Sequence, residues 1–234
     1  MDAAMHPESK YLAICEGDDY WTDPNKLQLQ VDFLESHPDY FMTCHGFKYY
    51  YEDTKEFEDQ PFVEGLPLEQ FNGRVYCTPM IDNYFKVSPW FTQILTIVHR
   101  RQNYFSAEAR KHYKGVYDYI ACYYMMRAGK CALFKDKMGV YRKQSSGVFS
   151  GTNETKWKEL AFTQDMTLYH LEKEKRVIPN INYFMVELVK VYAKHFQFGK
   201  AVKLLWRYLT GIKPTHLCEV FSSRISKAFR WSTK

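Results

Sequence analysis

The chain has 234 residues, of which 46% are hydrophobic and 18% aromatic, so it is long enough to bury a core and is not a disordered segment. Its net charge of +5 is uneven, because residues 200–234 hold eight Lys or Arg residues against one acid, Glu219. The body before them carries no basic stripe, which excludes nucleic acid as the expected partner. No apolar run approaches the ~20 residues that a membrane-spanning helix needs.

The six cysteines show no spacing typical of a metal site or a redox pair. Most of them lie inside apolar runs, which predicts buried, reduced thiols in a cytoplasmic protein. They are Cys15, Cys44, Cys77, Cys122, Cys131 and Cys218.

The first predicted element is a short buried strand over residues 11–15, and an acidic turn follows it directly. In that turn Glu16, Asp18 and Asp19 place three carboxylates within four residues, where they repel one another. A divalent cation removes this cost, and hard oxygen ligands suit Mg²⁺ or Mn²⁺. Ligands also sit at the carboxyl ends of strands in open α/β sheets. The turn therefore predicts a site for a metal and a diphosphate, with a solvated acidic turn as the alternative.

The next predicted element is a helix. Asp23 is a favourable N-cap, Pro24 suits the first helical position, and apolar residues recur at helical spacing over residues 27–34. Pro38 predicts the end of this helix.

The remaining elements alternate as far as residue 152 and are helical after it. We expect strands over residues 40–51, 92–100 and 131–141, a charged loop or hairpin end over 52–60, and irregular backbone over 62–72. A short helix is expected over residues 105–112, and a longer one over 117–128, closed by Gly129 as its left-handed C-terminal residue. From residue 153 onward, Gly199, Gly211 and Pro214 are expected to separate helices, the last over residues 217–229. The fold class is therefore α/β, with a mixed sheet and flanking helices in residues 1–152 and an all-helical region in 153–234.

Residues 10–24 run from the strand through Glu16-Gly17-Asp18-Asp19-Tyr20-Trp21 to Asp23-Pro24, and Lys26-Leu27-Gln28 and residues 30–34 continue the pattern. This segment closely resembles bacterial family 2 glycosyltransferases of the GT-A fold, which is Rossmann-like. Those enzymes carry an acidic DxD-type motif at a strand end and use nucleotide-diphosphate sugars. The resemblance implies that Asp19 holds Mn²⁺ or Mg²⁺ and that Glu16 and Asp18 contact the donor. We expect Tyr20 and Trp21 to contact the acceptor.

Gly115-Val116-Tyr117-Asp118-Tyr119, followed by Ala128-Gly129-Lys130, resembles the segment where this family places a catalytic carboxylate at a helix start. The match implies that Asp118 is the base that takes the proton of the acceptor hydroxyl in an inverting transfer. The alternative is that Asp118 only interacts favourably with the helix dipole.

Residues 140–150, Val-Tyr-Arg-Lys-Gln-Ser-Ser-Gly-Val-Phe-Ser, resemble the YR-x-H-x-x-G-V loop of the same family. Arg142 and Lys143 are expected to neutralise the diphosphate of the donor. Gln144 stands where the family usually has His; it would hydrogen-bond a phosphate but is a poor metal ligand and cannot carry a proton. The histidines His45, His99 and His112 are expected to be structural.

The resemblance covers residues 10 to about 151. The nucleotide-binding half of the family, a strand and turn that grip the base and ribose, has no counterpart in residues 1–9, so we expect truncation or a second chain that supplies it. The expected function is sugar transfer from a nucleotide-diphosphate sugar to a glycan or lipid-linked acceptor in surface polysaccharide assembly. The alternative is a non-catalytic fragment that serves as an interaction or membrane-surface module, and nucleotide-sugar binding with Mn²⁺ would distinguish the two. A metal-dependent phosphodiesterase would need a basic groove, and the sequence shows none.

The C-terminal residues 217–234 combine apolar and basic side chains. The apolar set is Leu217, Val220, Phe221, Ile225 and Phe229, and the basic set is Arg224, Lys227, Arg230 and Lys234. With Trp231 at the headgroup level, this composition predicts a helix on an anionic membrane surface, at the inner face of the membrane. A helix packed on the body with its charges in solvent is the alternative.

Overall fold

The computed structural model describes residues 8–86, 91–101, 118–144 and 154–213. The chain divides into two compact units, Met1–Gly151 and Thr152–Lys234. The first unit is α/β and the second is helical, which confirms the predicted fold class of a mixed sheet with flanking helices followed by helices alone. The helices predicted over residues 105–112 and 217–229 lie outside the described residues.

The first unit is built on one mixed sheet, which has eight strands within the described ranges. They are β1 (Tyr11–Ala13), β2 (Tyr20–Trp21), β3 (Tyr40–Tyr51), β4 (Glu56–Asp59), β5 (Leu68–Phe71), β6 (Arg74–Cys77), β7 (Val98–Arg100) and β8 (Lys130–Lys143). The order along the sheet is β1-β7-β3-β8-β6-β5, with β2 paired to β8 and β4 paired to β3. The two long central strands, β3 and β8, are parallel to each other and were both predicted.

Helix α1 (Lys26–Ser36) packs on this sheet through Phe33, which is fully buried. The ring of Phe33 makes edge-to-face contacts with Tyr40, Phe71, Tyr76 and Phe134, with centroids 4.9 to 5.6 Å apart. Aromatic pairs in this geometry stabilise a core beyond the area that they bury. In the chain, β2 and residues 22–25 connect the acidic turn to α1.

The predicted start of α1, with Asp23 as N-cap and Pro24 as first residue, is wrong by two positions. The helix begins at Lys26 with Asn25 as its N-cap. Asp23 instead accepts a hydrogen bond from the backbone N–H of Asn25 at 2.8 Å and pairs with Arg74 at 2.9 Å. A guanidinium is a stronger partner for a carboxylate than a helix N–H group, so Asp23 closes a turn before the helix.

Helix α1 ends at Ser36, before Pro38, as predicted. The guanidinium of Arg100 in β7 donates to the carbonyl oxygens of Leu34 and His37. The last carbonyls of a helix lack partners within the helix, and here a side chain from the sheet supplies them.

Strand β1 does not match the prediction of a buried strand. It has three residues and pairs only with β7, at the edge of the sheet. Tyr11 and Leu12 are half-buried and Ala13 is exposed. An edge strand has a neighbour on one side only, which an apolar run by itself does not reveal.

The strand predicted over residues 92–100 is a strand only in its last three residues, β7. Ile94–Thr96 form a 3₁₀ turn, in which the hydroxyl of Thr96 donates to the carbonyl oxygen of Gln93 at 2.6 Å. Leu95 and Ile97 are nevertheless fully buried. An apolar run indicates burial, and burial does not distinguish a strand from a compact turn.

Strand β5 lies in the stretch that was predicted to be irregular. It pairs with β6 through a tight hairpin whose two turn residues, Asn72 and Gly73, have positive φ values of 48° and 75°. Asn-Gly is the preferred dipeptide of this turn type, because both residues tolerate the left-handed region. The hairpin was therefore predictable from the sequence and was missed.

Within the described residues, the first unit has two further helices, α2 (Ile81–Lys86) and α3 (Asp118–Ala128). Gly129 follows α3 as predicted, but it is not among the residues with positive φ, so the left-handed role is wrong. A Cβ atom at Gly129 would lie 2.9 Å from the Cβ of Phe41 and 3.2 Å from the carbonyl oxygen of Asp39. Glycine is needed here because the backbone of β3 passes too close for a side chain.

The second unit contains three helices within the described part, α4 (Glu154–Glu172), α5 (Ile178–Lys194) and α6 (Phe198–Gly211). A 3₁₀ turn, Lys175–Val177, joins α4 to α5. Gly199 is the second residue of α6, so the prediction that it separates two helices is wrong, whereas α6 ends at Gly211 as predicted. Pro214 lies outside the described residues. The break between α5 and α6 falls at residues 195–197, where Phe196 has a positive φ of 56°.

The cysteines agree with the prediction with one exception. Cys44, Cys77, Cys122 and Cys131 are free and buried, whereas Cys15 is free and exposed beside the acidic turn. Cys218 lies outside the described residues.

Candidate functional site

The acidic turn is a compact loop between β1 and β2. The backbone N–H of Asp19 donates to the carbonyl oxygen of Glu16 at 3.1 Å. The thiol of Cys15 approaches the carbonyl oxygen of Asp19 at 3.6 Å. These contacts turn the chain so that the side chain of Asp19 is buried while Glu16 and Asp18 are exposed.

Asp19 is 9% exposed, and its two carboxylate oxygens differ. Oδ1 accepts the backbone N–H of Arg142 at 2.9 Å. Oδ2 is buried and has no hydrogen-bond partner within the described residues. Burial raises the pKa of Asp19 from 3.8 to about 6; the Arg142 hydrogen bond opposes this shift, and the carboxylates of Asp18 and Glu16 add to it. An orphaned, desolvated carboxylate oxygen is costly and suits a cation as its partner.

Asp118, the predicted base, is the first residue of α3 and is half-buried. Burial, followed by the charge of Glu16, raises the pKa of Asp118 to about 6. Glu16 and Asp118 are about a hundred residues apart in sequence, and the fold places them within electrostatic range of each other.

Tyr141 in β8 ties these groups together. Burial, together with the charges of Asp19, Glu16, Asp18 and Asp118, raises the pKa of its hydroxyl to about 12. The hydroxyl of Tyr141 therefore interacts electrostatically with four carboxylates from two separate parts of the chain. We call Glu16, Asp18, Asp19 and Asp118 the acidic cluster. Tyr141 was not predicted as a site residue, although it stands beside Arg142 in the motif that was recognised.

The fit of a divalent cation follows from these contacts. Within the described ranges, no three His, Cys, Asp or Glu side chains are close enough to ligate one metal ion together. Mg²⁺ commonly takes only one or two carboxylates from a protein and completes its shell with water and substrate phosphates. Asp19 Oδ2 fits that role, so the residues present suit a cation that is bound together with a diphosphate.

The predicted donor-binding residues at the end of β8 have partners of their own. The Nε of Arg142 donates to Glu52 at 2.7 Å, and Glu52 raises the pKa of the guanidinium. The ammonium of Lys143 lies 3.7 Å from the ring centroid of Tyr49, and burial lowers its pKa. Gln144 is exposed. Arg142 thus meets the acidic cluster through its backbone N–H, while its side chain is held by Glu52.

The structure does not place Tyr20 with the acidic cluster. Tyr20 pairs with Val140 in the β2–β8 ladder, and residues directly opposite in a ladder share one face of the sheet. Tyr141, the next residue along β8, points to the other face. Tyr20 instead lines a groove of about 340 Å³ together with Lys48 and Phe57.

Trp21 has a structural role that the sequence did not indicate. Its indole N–H donates to the carbonyl oxygen of Leu95 at 2.8 Å, and the ammonium of Lys26 lies 4.2 Å from its ring centroid. Lys26 is 1% exposed, and its nitrogen has no hydrogen-bond acceptor in the described part of the chain. Burial lowers the pKa of Lys26 to about 8. The cation–π contact with Trp21 offsets part of the cost of burying the Lys26 ammonium, and it holds Trp21 against the first turn of α1.

An aromatic surface extends from Tyr141 along the sheet. Tyr49 lies opposite Tyr141 in the β3–β8 ladder, with ring centroids 6.0 Å apart. Tyr51, two residues further along β3, is 6.4 Å from Tyr49. These three rings, which we call the tyrosine platform, are half-buried and lie on the same face as the acidic cluster.

Two of the three histidines are confirmed as structural. His45 is fully buried, its Nδ1 lies 2.6 Å from the carbonyl oxygen of Gly46, and burial lowers its pKa to about 3. His99 is buried in β7, where burial lowers its pKa as well. His112 lies outside the described residues.

None of the described helices is both long and apolar enough to cross a membrane. No family model matches the chain. It is similar to uncharacterized protein Mb1547 of Mycobacterium bovis and to uncharacterized proteins MT1570 and Rv1520 of Mycobacterium tuberculosis, with 27% identity over 189 residues in each case. Each comparison covers 76% of this chain and 50% of the relative, so the chain spans about half the length of the curated relatives that it matches.

Proposed function

We propose that the first unit carries the metal, diphosphate and acceptor side of a glycosyltransferase site, which moves a sugar from a nucleotide-diphosphate donor to a glycan or lipid-linked acceptor. The observation that carries the proposal is the acidic cluster. Asp118 and the acidic turn, which the resemblance to family 2 enzymes singled out separately, converge on Tyr141. Two motifs that match one family and meet in space support a common site more strongly than either motif alone.

On the donor side, Asp19 would hold Mg²⁺ or Mn²⁺ through Oδ2, the oxygen without a hydrogen-bond partner. When bound, the cation would neutralise the charge of the diphosphate leaving group. The Arg142 N–H fixes Asp19 through Oδ1, which leaves Oδ2 without a hydrogen-bond partner in the described residues and able to bind the cation. The side chains of Arg142 and Lys143 would contribute positive charge nearby, and Glu16 and Asp18 would orient donor hydroxyl groups.

On the acceptor side, Asp118 would accept the proton of the attacking hydroxyl. With its pKa raised to about 6, Asp118 is ionised at neutral pH yet more basic than an ordinary carboxylate. A general base works best when its pKa lies near the working pH. Burial is the main cause of this basicity, and the charge of Glu16 adds to it.

The tyrosine platform fits the acceptor sugar better than Tyr20 does. Its three rings lie beside the acidic cluster, whereas Tyr20 faces the opposite side of the sheet. Tyrosine supplies an apolar face for a sugar ring and a hydroxyl for its polar groups. We therefore place the acceptor along Tyr141, Tyr49 and Tyr51.

The proposal is tested by Mn²⁺ binding to the purified chain, followed by the electron paramagnetic resonance of free Mn²⁺, with and without inorganic pyrophosphate. We expect the chain to bind Mn²⁺, pyrophosphate to tighten the binding, and Asp19→Asn to abolish it. Glu64→Gln, which removes an exposed carboxylate outside the cluster, is the matched control and should bind as the parent does. Equal Mn²⁺ binding by Asp19→Asn and the parent would show that Asp19 is not the ligand.

A further inference from the structure

Helix α6 and the turn before it expose a continuous apolar stripe in the second unit. Five large apolar side chains are more than half exposed there, and we call them the apolar ridge. They are Phe196 (82%), Phe198 (57%), Val202 (66%), Trp206 (69%) and Leu209 (58%).

The ridge is separate from the face through which α6 packs. Residues 198, 202, 206 and 209 recur at intervals of four and three, so they follow one side of the helix. Ala201 and Tyr208 occupy another side and are buried, and the hydroxyl of Tyr208 donates to Asn182 of α5. The helix therefore satisfies its packing in the unit and presents a second apolar face outward.

Phe196 shows that this exposure is not a by-product of packing or of turn geometry. It is the most exposed large apolar residue described, and its φ of 56° is costly for a bulky side chain. Asn or Gly would suit this turn better. Neither the core nor the backbone favours Phe at this position, so its ring is best explained by contact with something outside the unit.

The charge around the ridge has one sign. Residues 194–213 contain five Lys or Arg residues and no Asp or Glu. They are Lys194, Lys200, Lys203, Arg207 and Lys213. A partner for the ridge must therefore be apolar where it meets the ridge and anionic around it.

We propose that the apolar ridge docks on an anionic lipid surface, with Trp206 and the Phe rings at the acyl boundary and the basic residues at the headgroups. An amphipathic helix of this composition lies in the plane of the membrane interface. A second copy of the chain fits less well, because a two-fold contact would bring the same basic residues of both copies together. Residues 214–234 add four Lys or Arg residues and one acidic residue, Glu219, so they do not neutralise the positive charge. This inference is independent of sugar transfer, and it assigns docking to α6 rather than to residues 217–234.

The test is co-sedimentation of the full chain with vesicles of phosphatidylcholine containing phosphatidylglycerol, and with vesicles of phosphatidylcholine alone. We expect binding to the anionic vesicles only, weakened by salt, because the attraction to headgroups is screened. Phe196→Asn should lower the partition coefficient roughly tenfold, since one Phe side chain is withdrawn from the apolar boundary. The same variant should keep or raise the thermal stability of the protein, because Asn tolerates positive φ. Lys203→Gln should lower binding about fivefold.

Phe57→Asn is the matched control, since Phe57 is 56% exposed but lies in the first unit. It should bind vesicles as the parent does. A further variant, Lys227→Gln with Arg230→Gln, separates α6 from the C-terminal residues. The proposal is overturned if the parent chain does not bind anionic vesicles, if Phe196→Asn binds as well as the parent, or if only the C-terminal variant loses binding. A dimer in sedimentation velocity that Phe196→Asn dissociates, without vesicle binding, would assign the ridge to a second copy instead.

Discussion

Asp19→Asn isolates the electrostatic cost of the acidic cluster, because it removes one charge and keeps the size of the side chain. In the metal-free protein the folded pKa of Asp19 is about 6, against an ordinary 3.8. An Asp whose folded pKa is raised binds more protons when folded than when unfolded between these values. The free energy of unfolding of the parent therefore falls as the pH rises from about 4 to about 6. At pH values above about 6 the destabilisation by the ionised Asp19 is complete and stays constant.

The size of this cost follows from the same two values. Each pKa unit is worth about 1.4 kcal/mol, so the difference between 3.8 and about 6 corresponds to roughly 3 kcal/mol. The variant does not carry this cost at any pH. The free energy of unfolding of Asp19→Asn, relative to the parent, should thus rise by about 2 to 3 kcal/mol between about pH 4 and about pH 8. Any cost of burying the new amide is the same at every pH and appears as an offset at low pH.

The assay is urea unfolding of both proteins across this pH range in EDTA, followed by fluorescence. For Glu64→Gln, at an exposed site outside the acidic cluster, the free energy of unfolding should change with pH in parallel with that of the parent. Added Mn²⁺ should then reverse the order at neutral pH, because the cation binds the folded parent and not the variant. Parallel pH profiles for Asp19→Asn and the parent in EDTA would refute the claim that the fold holds Asp19 at an electrostatic cost.

Three further outcomes are expected. In an enzyme assembled with the nucleotide-binding half, Asp118→Asn should lower the turnover of sugar transfer by about 10²- to 10⁴-fold with little change in the affinity for the donor, because a base acts mainly in the transition state. Initial rates over a range of donor concentrations measure both, and a change in donor affinity alone would contradict the role. Lys26→Met should raise the free energy of unfolding at neutral pH by about 1 to 2 kcal/mol, since the buried ammonium with its pKa lowered to about 8 is removed at the expense of its contact with Trp21. Because the penalty on Lys26 disappears in the parent as the pH rises from about 8 to about 10.5, the advantage of the variant should shrink over that range, which urea unfolding at several pH values can check. Gly129→Ala should destabilise the protein by about 1 to 3 kcal/mol, because the new Cβ would meet backbone and Cβ atoms of β3. The control Gly199→Ala should not, because a Cβ at that position has no other atom within 4 Å. Equal unfolding midpoints for the two variants would contradict the close approach at Gly129.

The local pattern of apolar and polar residues was sufficient to predict the long helices and strands. β3 and α3 were predicted almost to the residue, and β8 within two residues at either end, because the consistent composition of these long segments leaves few alternatives. Short elements were not predictable in the same way. The 3₁₀ turn at Ile94–Thr96 and the edge position of β1 depend on which neighbours the fold supplies, and an apolar run contains no information about neighbours.

For the site, the types and the spacing of the carboxylates, including Asp19 and Asp118, could be predicted from the residues alone. That these groups come close together depends on the fold, because the antiparallel pairing of β2 with β8 places Tyr141 and Arg142 beside Asp19. It also decided which side chains are withdrawn from the site, as Trp21 is by its hydrogen bond to Leu95 and Tyr20 by the alternation of the strand. The pKa of a side chain, the hydrogen bonding of an oxygen and the exposure of a helix face all depend on the neighbouring atoms. In a folded protein these neighbours come from residues that are far apart in the chain.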